Sequence, residues 1–146
     1  MKTLVDASVI VAALVEDDSG HPAAVAWLDA ELSRETRLFV SDHTLAEVYA
    51  SITKAKYDRQ RITPAEARGV LLSFLTVIER VIPTGAHDYL KAIDACVERG
   101  LTSGAVYDAV HVRAARRERI KRVVTFNGKH FRPQWDDRLV VLEADR

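Results

Sequence analysis

Five short apolar runs punctuate this chain: Leu4-Val5, Leu38-Phe39-Val40, Val81-Ile82, the middle of Arg122-Val123-Val124-Thr125, and Leu139-Val140-Val141-Leu142. The stretches between the first four are long and carry helical periodicity. Antiparallel hairpins need only tight turns, whereas parallel neighbours need a crossover of about a dozen residues or more. A helix is expected from about Ser8 to Val15, and a second over His21 to Ser33, where Val25, Leu28 and Leu32 recur with Trp27 beside them. Ser41 or Asp42 caps the next, whose stripe is Leu45, Val48, Tyr49 and Ile52, with a charged exit from Lys54 to Arg61. Thr63-Pro64-Ala65-Glu66 reads as a capping box with proline at the first helical position, ahead of Val70, Leu71, Phe74, Leu75 and Ile78. Asp88 to Arg99 is helical, with Leu90, Ile93 and Val97 turned inward and Gly100 as its stop. Another helix starts at Ser103 or Gly104 and runs to about Glu118, and Asn127-Gly128 signals a turn. Strands alternating with helices predict a parallel α/β sheet with right-handed crossovers, and residues 1–146 form one domain with a core of its own.

The first run ends in a carboxylate, Asp6, and passes at once into Val9-Ile10-Val11-Ala12-Ala13-Leu14. Asp6 therefore stands at the carboxyl end of a strand, the edge where open α/β sheets place ligand crevices. An acid there is costly unless it is exposed in a cleft, hydrogen-bonded or bound to a cation. Two more acids have apolar settings. Glu47 lies in Leu45-Ala46-Glu47-Val48 just after the second strand, and Asp108 lies in a helix of small residues, Gly104-Ala105-Val106-Tyr107-Asp108-Ala109. Each alone reads as a cap or a half-buried salt bridge. In a parallel sheet all three can converge on one crevice, where they repel unless a cation joins them. Hard oxygen ligands select Mg²⁺ or Mn²⁺ over zinc. Such an ion suits phosphodiester hydrolysis, polarising the phosphate and lowering the pKa of an attacking water.

Charge and cysteine content narrow the field. Lys+Arg 21 balances Asp+Glu 21, so nucleic-acid binding needs a local basic patch rather than a global field. The single Cys96 excludes an internal disulfide and a cysteine-based zinc site. Lys2 and Asp6 interrupt what would be a signal-peptide core, and the longest apolar run, Val9 to Val15, is far short of the about 20 residues that span a bilayer. A cytoplasmic protein with no membrane partner is the expectation.

Four pieces together resemble the PIN-domain ribonucleases, and within them the VapC-type toxins of type II toxin–antitoxin pairs. They are Val5-Asp6-Ala7-Ser8, Ser41 to Val48, Tyr107-Asp108-Ala109 and Val124-Thr125-Phe126-Asn127-Gly128-Lys129-His130-Phe131, in that order over nearly the whole chain. The resemblance implies a three-layer α/β/α fold with a central, mainly parallel sheet, and a Mg²⁺ site in which Mn²⁺ can substitute. It implies endonucleolytic cleavage of RNA with a 5′-phosphate product, a homodimer, and inhibition by a cognate antitoxin protein. Asp6, Glu47 and Asp108 match the acidic metal ligands, and Ser8 and Thr125 match hydroxyls that line the pocket. The family's fourth acidic position falls on Asn127, which removes one negative charge and leaves a neutral oxygen to support the ion or its water.

Other features have plainer readings. Arg113, Arg116, Arg117, Arg119, Lys121 and Arg122 are either a solvated helix end or a phosphate-binding rim that Lys129, His130 and Arg132 extend. His111, three residues after Asp108, is expected as an ordinary surface or core histidine, His43 and His130 are left unassigned, and Tyr107 is expected to pack. The surplus apolar surface between Asp42 and Glu79 is core, or in the resemblance joins the dimer and antitoxin interfaces. Three alternatives compete with the nuclease: a catalytically silent RNA-binding or assembly module on the same fold, which Asn127 keeps open; an aspartyl phosphatase, which normally has a second acid where this chain has Ser8; and a receiver-type signalling domain, disfavoured by the extra helices.

Overall fold

The computed structural model describes residues 1–54 and 61–145. Most of the charged exit expected between Lys54 and Arg61 lies outside them. Five strands, β1 (Lys2–Val5), β2 (Arg37–Ser41), β3 (Arg80–Ile82), β4 (Arg122–Thr125) and β5 (Arg138–Val141), fall on the five apolar runs. They form one sheet in the order β3-β2-β1-β4-β5, and every pairing is parallel. The helices are α1 (Ala7–Leu14), α2 (His21–Ser33), α3 (Asp42–Lys54), α4 (Pro64–Leu75), α5 (Ala86–Arg99), α6 (Ala105–Arg117) and the single turn α7 (Gly128–Phe131).

Both sheet faces are covered, which is why the strands read as continuous apolar runs rather than alternating ones. Val5, Leu38, Val40 and Val124 face one core with Val9 and Ile10 of α1, Leu28 of α2, Val48 and Ile52 of α3, and Phe74 of α4. Leu4, Phe39 and Val123 face the other with Val112 and Ala115 of α6, Phe131 of α7, and Trp135. The layers are therefore α/β/α. No helix among the described residues is long and apolar enough to cross a membrane.

Local signals place the helix ends. Thr63 Oγ1 accepts the Glu66 backbone N–H at 3.1 Å and caps α4. Gly100 ends α5 in the left-handed region, φ 63°, where glycine carries no Cβ penalty. The expected turn at Asn127-Gly128 is present, with the Asn127 carbonyl accepting the His130 N–H at 2.9 Å, and it opens α7 with Asn127 at the N-cap position. Gly128 is packed so closely on β5 that a Cβ there would lie 2.6 Å from Val141 Cγ2. Gly128→Ala is expected to destabilise the chain by about 1–3 kcal/mol through overpacking, read as a lower urea midpoint with an unchanged slope.

One helix faces the other way from the expectation. Leu90, Ile93 and Val97 of α5 are 61%, 46% and 75% exposed, while Asp88, Ala92 and Cys96 are buried. The face is decided by Asp88, which accepts the Gly85 N–H and pairs with Arg113 and Arg117 of α6. These contacts satisfy a buried carboxylate and lock α5 onto α6, leaving the apolar stripe outside.

Candidate active site

In this strand order succession runs outward in both directions from β1, so the switch point lies between β1 and β4. Ligands bind at the carboxyl ends of such a pair. Val5 pairs with Val124, and the Asp6 N–H donates to Val124 O at 3.0 Å. Asp6 and Thr125 thus leave the sheet side by side. A cavity of about 500 Å³ opens there, and its lining includes Asp6, Ser8, Glu47, Asp108, Asn127 and His130. All three expected acids, the expected asparagine and one expected hydroxyl therefore share one space, delivered by β1, α1, α3, α6 and the exit of β4. Thr125 is completely buried just behind it.

Asp6 is held by a small network. Ser8 Oγ and Thr125 Oγ1 both donate to the same oxygen, Oδ2, at 2.6 and 2.7 Å. Their proton directions are set by backbone N–H groups: Phe126 donates to Ser8 Oγ at 3.1 Å, and Asn127 donates to Thr125 Oγ1 at 2.9 Å. With those lone pairs occupied, each hydroxyl proton is free for Asp6. No hydrogen bond within the described residues falls on Asp6 Oδ1. No buried side-chain N or O among them lacks a partner, so Oδ1 reaches the open cavity.

Asp108, in the first turn of α6, is only 8% exposed. Burial, then repulsion from Asp6, pushes its pKa up to about 6, with a smaller push from Glu47 against the pull of His111 and His130. His130 Nδ1 stands 3.4 Å from Asp108 Oδ2. Glu47 is held from behind: His111 Nε2 lies 2.6 Å and His43 Nε2 3.4 Å from its Oε1. His111 is buried in the core, with its other nitrogen 2.8 Å from Ser41 Oγ. Burial alone lowers an imidazole pKa, but the hydrogen bond and charge of Glu47, with Asp6 and Asp108 beyond, outweigh it and raise it. Asn127 is exposed at the rim, and its side chain makes no capping bond to α7.

These donors fit a hard divalent cation. The fit rests on two carboxylates that repel across a shared cavity and on hydroxyls that leave one Asp6 oxygen facing it. Among the described residues no three His, Cys, Asp or Glu side chains stand grouped as a ready-made metal cluster. A divalent cation here would be reached by these carboxylates partly through its own waters, as the hydration of small hard cations permits.

The remaining expectations divide. Arg113 and Arg117 are paired with Asp88, Arg116 with Asp136, and Arg122 with Glu31. None of these four lines the cavity, so most of the cluster ties elements together, while His130 of the expected extension does stand in the lining. Tyr107 is half exposed at the cavity and stacks on His43 with centroids 5.1 Å apart. Sequence reasoning missed the link from His111 to Glu47, because its partner is 64 residues away. It also missed Asp18, Ser19 and Gly20, a polar loop that folds onto the cavity. The Asp18-Ser19-Gly20 pattern, which favours an Asx turn, was the signal available for it, and the turn forms with Gly20 N–H donating to Asp18 Oδ1 at 2.8 Å.

The model of the PIN domain family matches residues 3–134. Ribonuclease VapC27 of Mycobacterium tuberculosis is 33% identical over 115 residues, covering 79% of this chain and 77% of that protein. The chain belongs to the PIN-domain family, VapC type. Solved structures agree on the fold of this PIN domain. The VapBC2 structure from Rickettsia felis, bound to a promoter DNA fragment, matches with a TM-score of 0.73 at 19% identity, over 98% of this chain and 100% of that one. VapC20 of Mycobacterium tuberculosis, described as a sarcin-ricin loop cleaving toxin, matches with a TM-score of 0.71 at 19% identity, over 92% and 96%.

Proposed function

We propose that this PIN domain is a Mg²⁺-dependent endoribonuclease acting as the toxin of a toxin–antitoxin pair. The observation that carries the reading is the pairing of Asp6 and Asp108 across one cavity at the switch point, with Asp108 raised to about 6 by burial and by Asp6. Asp6, Asp108 and Glu47 hold the cation, for which Mn²⁺ can substitute. Ser8 and Thr125 fix Asp6, and Asn127 faces the cavity to orient water or phosphate. When bound, the cation supplies neutralising charge at the phosphate and lowers the pKa of a water. In-line attack of water on phosphorus expels the 3′ oxygen, leaving a 5′-phosphate and a 3′-hydroxyl. The VapC27 likeness supports RNA as the substrate, and the VapBC2 complex supports an antitoxin partner. Expression of the chain in a bacterial host, with new 5′ ends mapped in total RNA, tests the reading. Growth arrest with new ends that vanish in Asp108→Asn is expected; neither arrest nor Asp108-dependent ends would remove it.

The exposed stripe of Leu90, Ile93 and Val97 supports the homodimer, since adjacent apolar side chains on one helix face are a surface that a second copy can cover. It lies on α5, whereas the resemblance places the dimer and antitoxin interfaces between Asp42 and Glu79, where Tyr49, Leu72 and Val77 are also exposed. Leu90→Glu with Val97→Glu is expected to give a monomer by light scattering, with the thermal midpoint of the fold retained. A dimer unchanged in mass would move the interface elsewhere.

A further inference from the structure

We propose that His111 is a positioning residue for the cation site: its ring anchors Glu47 through Oε1, so that Oε2 is the oxygen turned toward the cavity. The inference rests on the reading of Asp6, Glu47 and Asp108 as cation ligands and adds the side chain that sets the third of them.

His111 is 1% exposed, among the most enclosed side chains of the fold. Burying an imidazole in an apolar core is costly unless both nitrogens have partners. Here both do: Nδ1 lies 2.8 Å from Ser41 Oγ and Nε2 lies 2.6 Å from Glu47 Oε1. Ser41 is itself fully buried at the end of β2, so the ring is fixed from the sheet side. His43, the other neighbour of Glu47, is longer at 3.4 Å and falls on the same oxygen. The hydrogen bond from His111 is therefore what pins Oε1. Asp6 shows the same design, since both of its hydroxyl donors fall on Oδ2.

The placement also couples two elements. Asp108 and His111 are three residues apart, so they share one side of α6. Asp108 enters the cavity, while His111 reaches behind Glu47 on α3.

Two substitutions separate the nitrogens. Asparagine places its amide near the level of Nδ1 and keeps the Ser41 side; glutamine places it near the level of Nε2 and keeps the Glu47 side. Both lose the ring and its packing. Mn²⁺ binding to the purified chain is measured by electron paramagnetic resonance. His111→Asn is expected to weaken binding about 10- to 100-fold, the range for lost outer-sphere support, and His111→Gln to stay within about threefold of wild type. In a Glu47→Gln background the two variants should bind Mn²⁺ alike. Equal weakening by both in the Glu47 background, or no weakening by either, overturns the proposal. Should either variant fail to fold, the wild-type chain is titrated with Mg²⁺ and the His111 ring nitrogens are followed by ¹⁵N NMR. A shift of Nε2 that tracks binding is expected, and an unmoved Nε2 at saturation overturns the proposal. Wild-type protein that binds no Mn²⁺ at all would instead bring down the cation reading itself.

Discussion

Asp6→Asn is expected to lower Mg²⁺-dependent RNA cleavage on the order of 10³-fold, the scale on which one lost electrostatic group costs a polar reaction. The substitution is close to a pure change of charge. An asparagine Oδ1 can still accept from Ser8 and Thr125, whose protons are directed by the Phe126 and Asn127 N–H groups. The fold should therefore survive, with no loss of thermal midpoint. Single-turnover cleavage of RNA, with circular-dichroism melting of the same samples, checks both halves. Activity within tenfold of wild type would show that Asp6 is not a ligand. Lost activity together with a lost fold would reduce Asp6 to an anchor between β1 and β4.

The second large effect concerns Asp108 and stability. Its pKa rises from the ordinary carboxyl value of 3.8 to about 6 on folding, so between those values the folded state binds the proton more tightly than the unfolded one. For a carboxyl raised in this way, stability is greatest at low pH and is lost as pH rises through that window, by about 3 kcal/mol if the whole shift is realised. Cation-free protein should therefore melt lower at pH 7.5 than at pH 4.5 through this group. Asp108→Asn removes the buried charge and should raise the cation-free midpoint at pH 7.5 by about 5–10 °C. Mg²⁺ at about 100 times its dissociation constant should stabilise the wild type by about 2.7 kcal/mol and leave Asp108→Asn nearly unmoved. A variant less stable than wild type at pH 7.5 would mean that Asp108 is already compensated within the fold, and a Mg²⁺ response unchanged by the substitution would place the ion elsewhere.

The legible and illegible parts of the chain differ in how far their causes reach. Strands such as Leu38-Phe39-Val40 are readable because both sheet faces are buried, which turns each into an unbroken apolar run. Thr63 and Gly100 are readable because caps act within a few residues. Asp6, Glu47 and Asp108 stood out as acids in apolar settings, and parallel topology does bring them to one cavity. The orientation of α5 was not readable. Leu90, Ile93 and Val97 mark an apolar face, but a periodic stripe does not say what covers it. Asp88 decides the matter through arginines on another helix. The partners of the basic cluster were equally hidden, because Glu31, Asp88 and Asp136 pair with four of its members from distant positions. His111 looked like an ordinary histidine because Ser41 and Glu47 reach it only through the folded crossing of α3, β2 and α6. Asn127 combines two roles that local sequence cannot separate, the N-cap position of α7 and a place on the cavity rim.

The chemistry of the cut ends is the most direct test of the central claim. His43, His111 and His130 lie in or beside the acidic cavity, so a histidine-driven attack by the RNA's own 2′-hydroxyl is the rival that must be separated from cation-dependent hydrolysis. Purified chain is incubated with RNA after removal of divalent cations by chelation and again after Mg²⁺ is restored, and the termini are sequenced by their end groups. The cation reading predicts no cleavage until Mg²⁺ returns, then 5′-phosphate and 3′-hydroxyl ends. Cleavage that persists under chelation and leaves 5′-hydroxyl and 2′,3′-cyclic phosphate ends would contradict it.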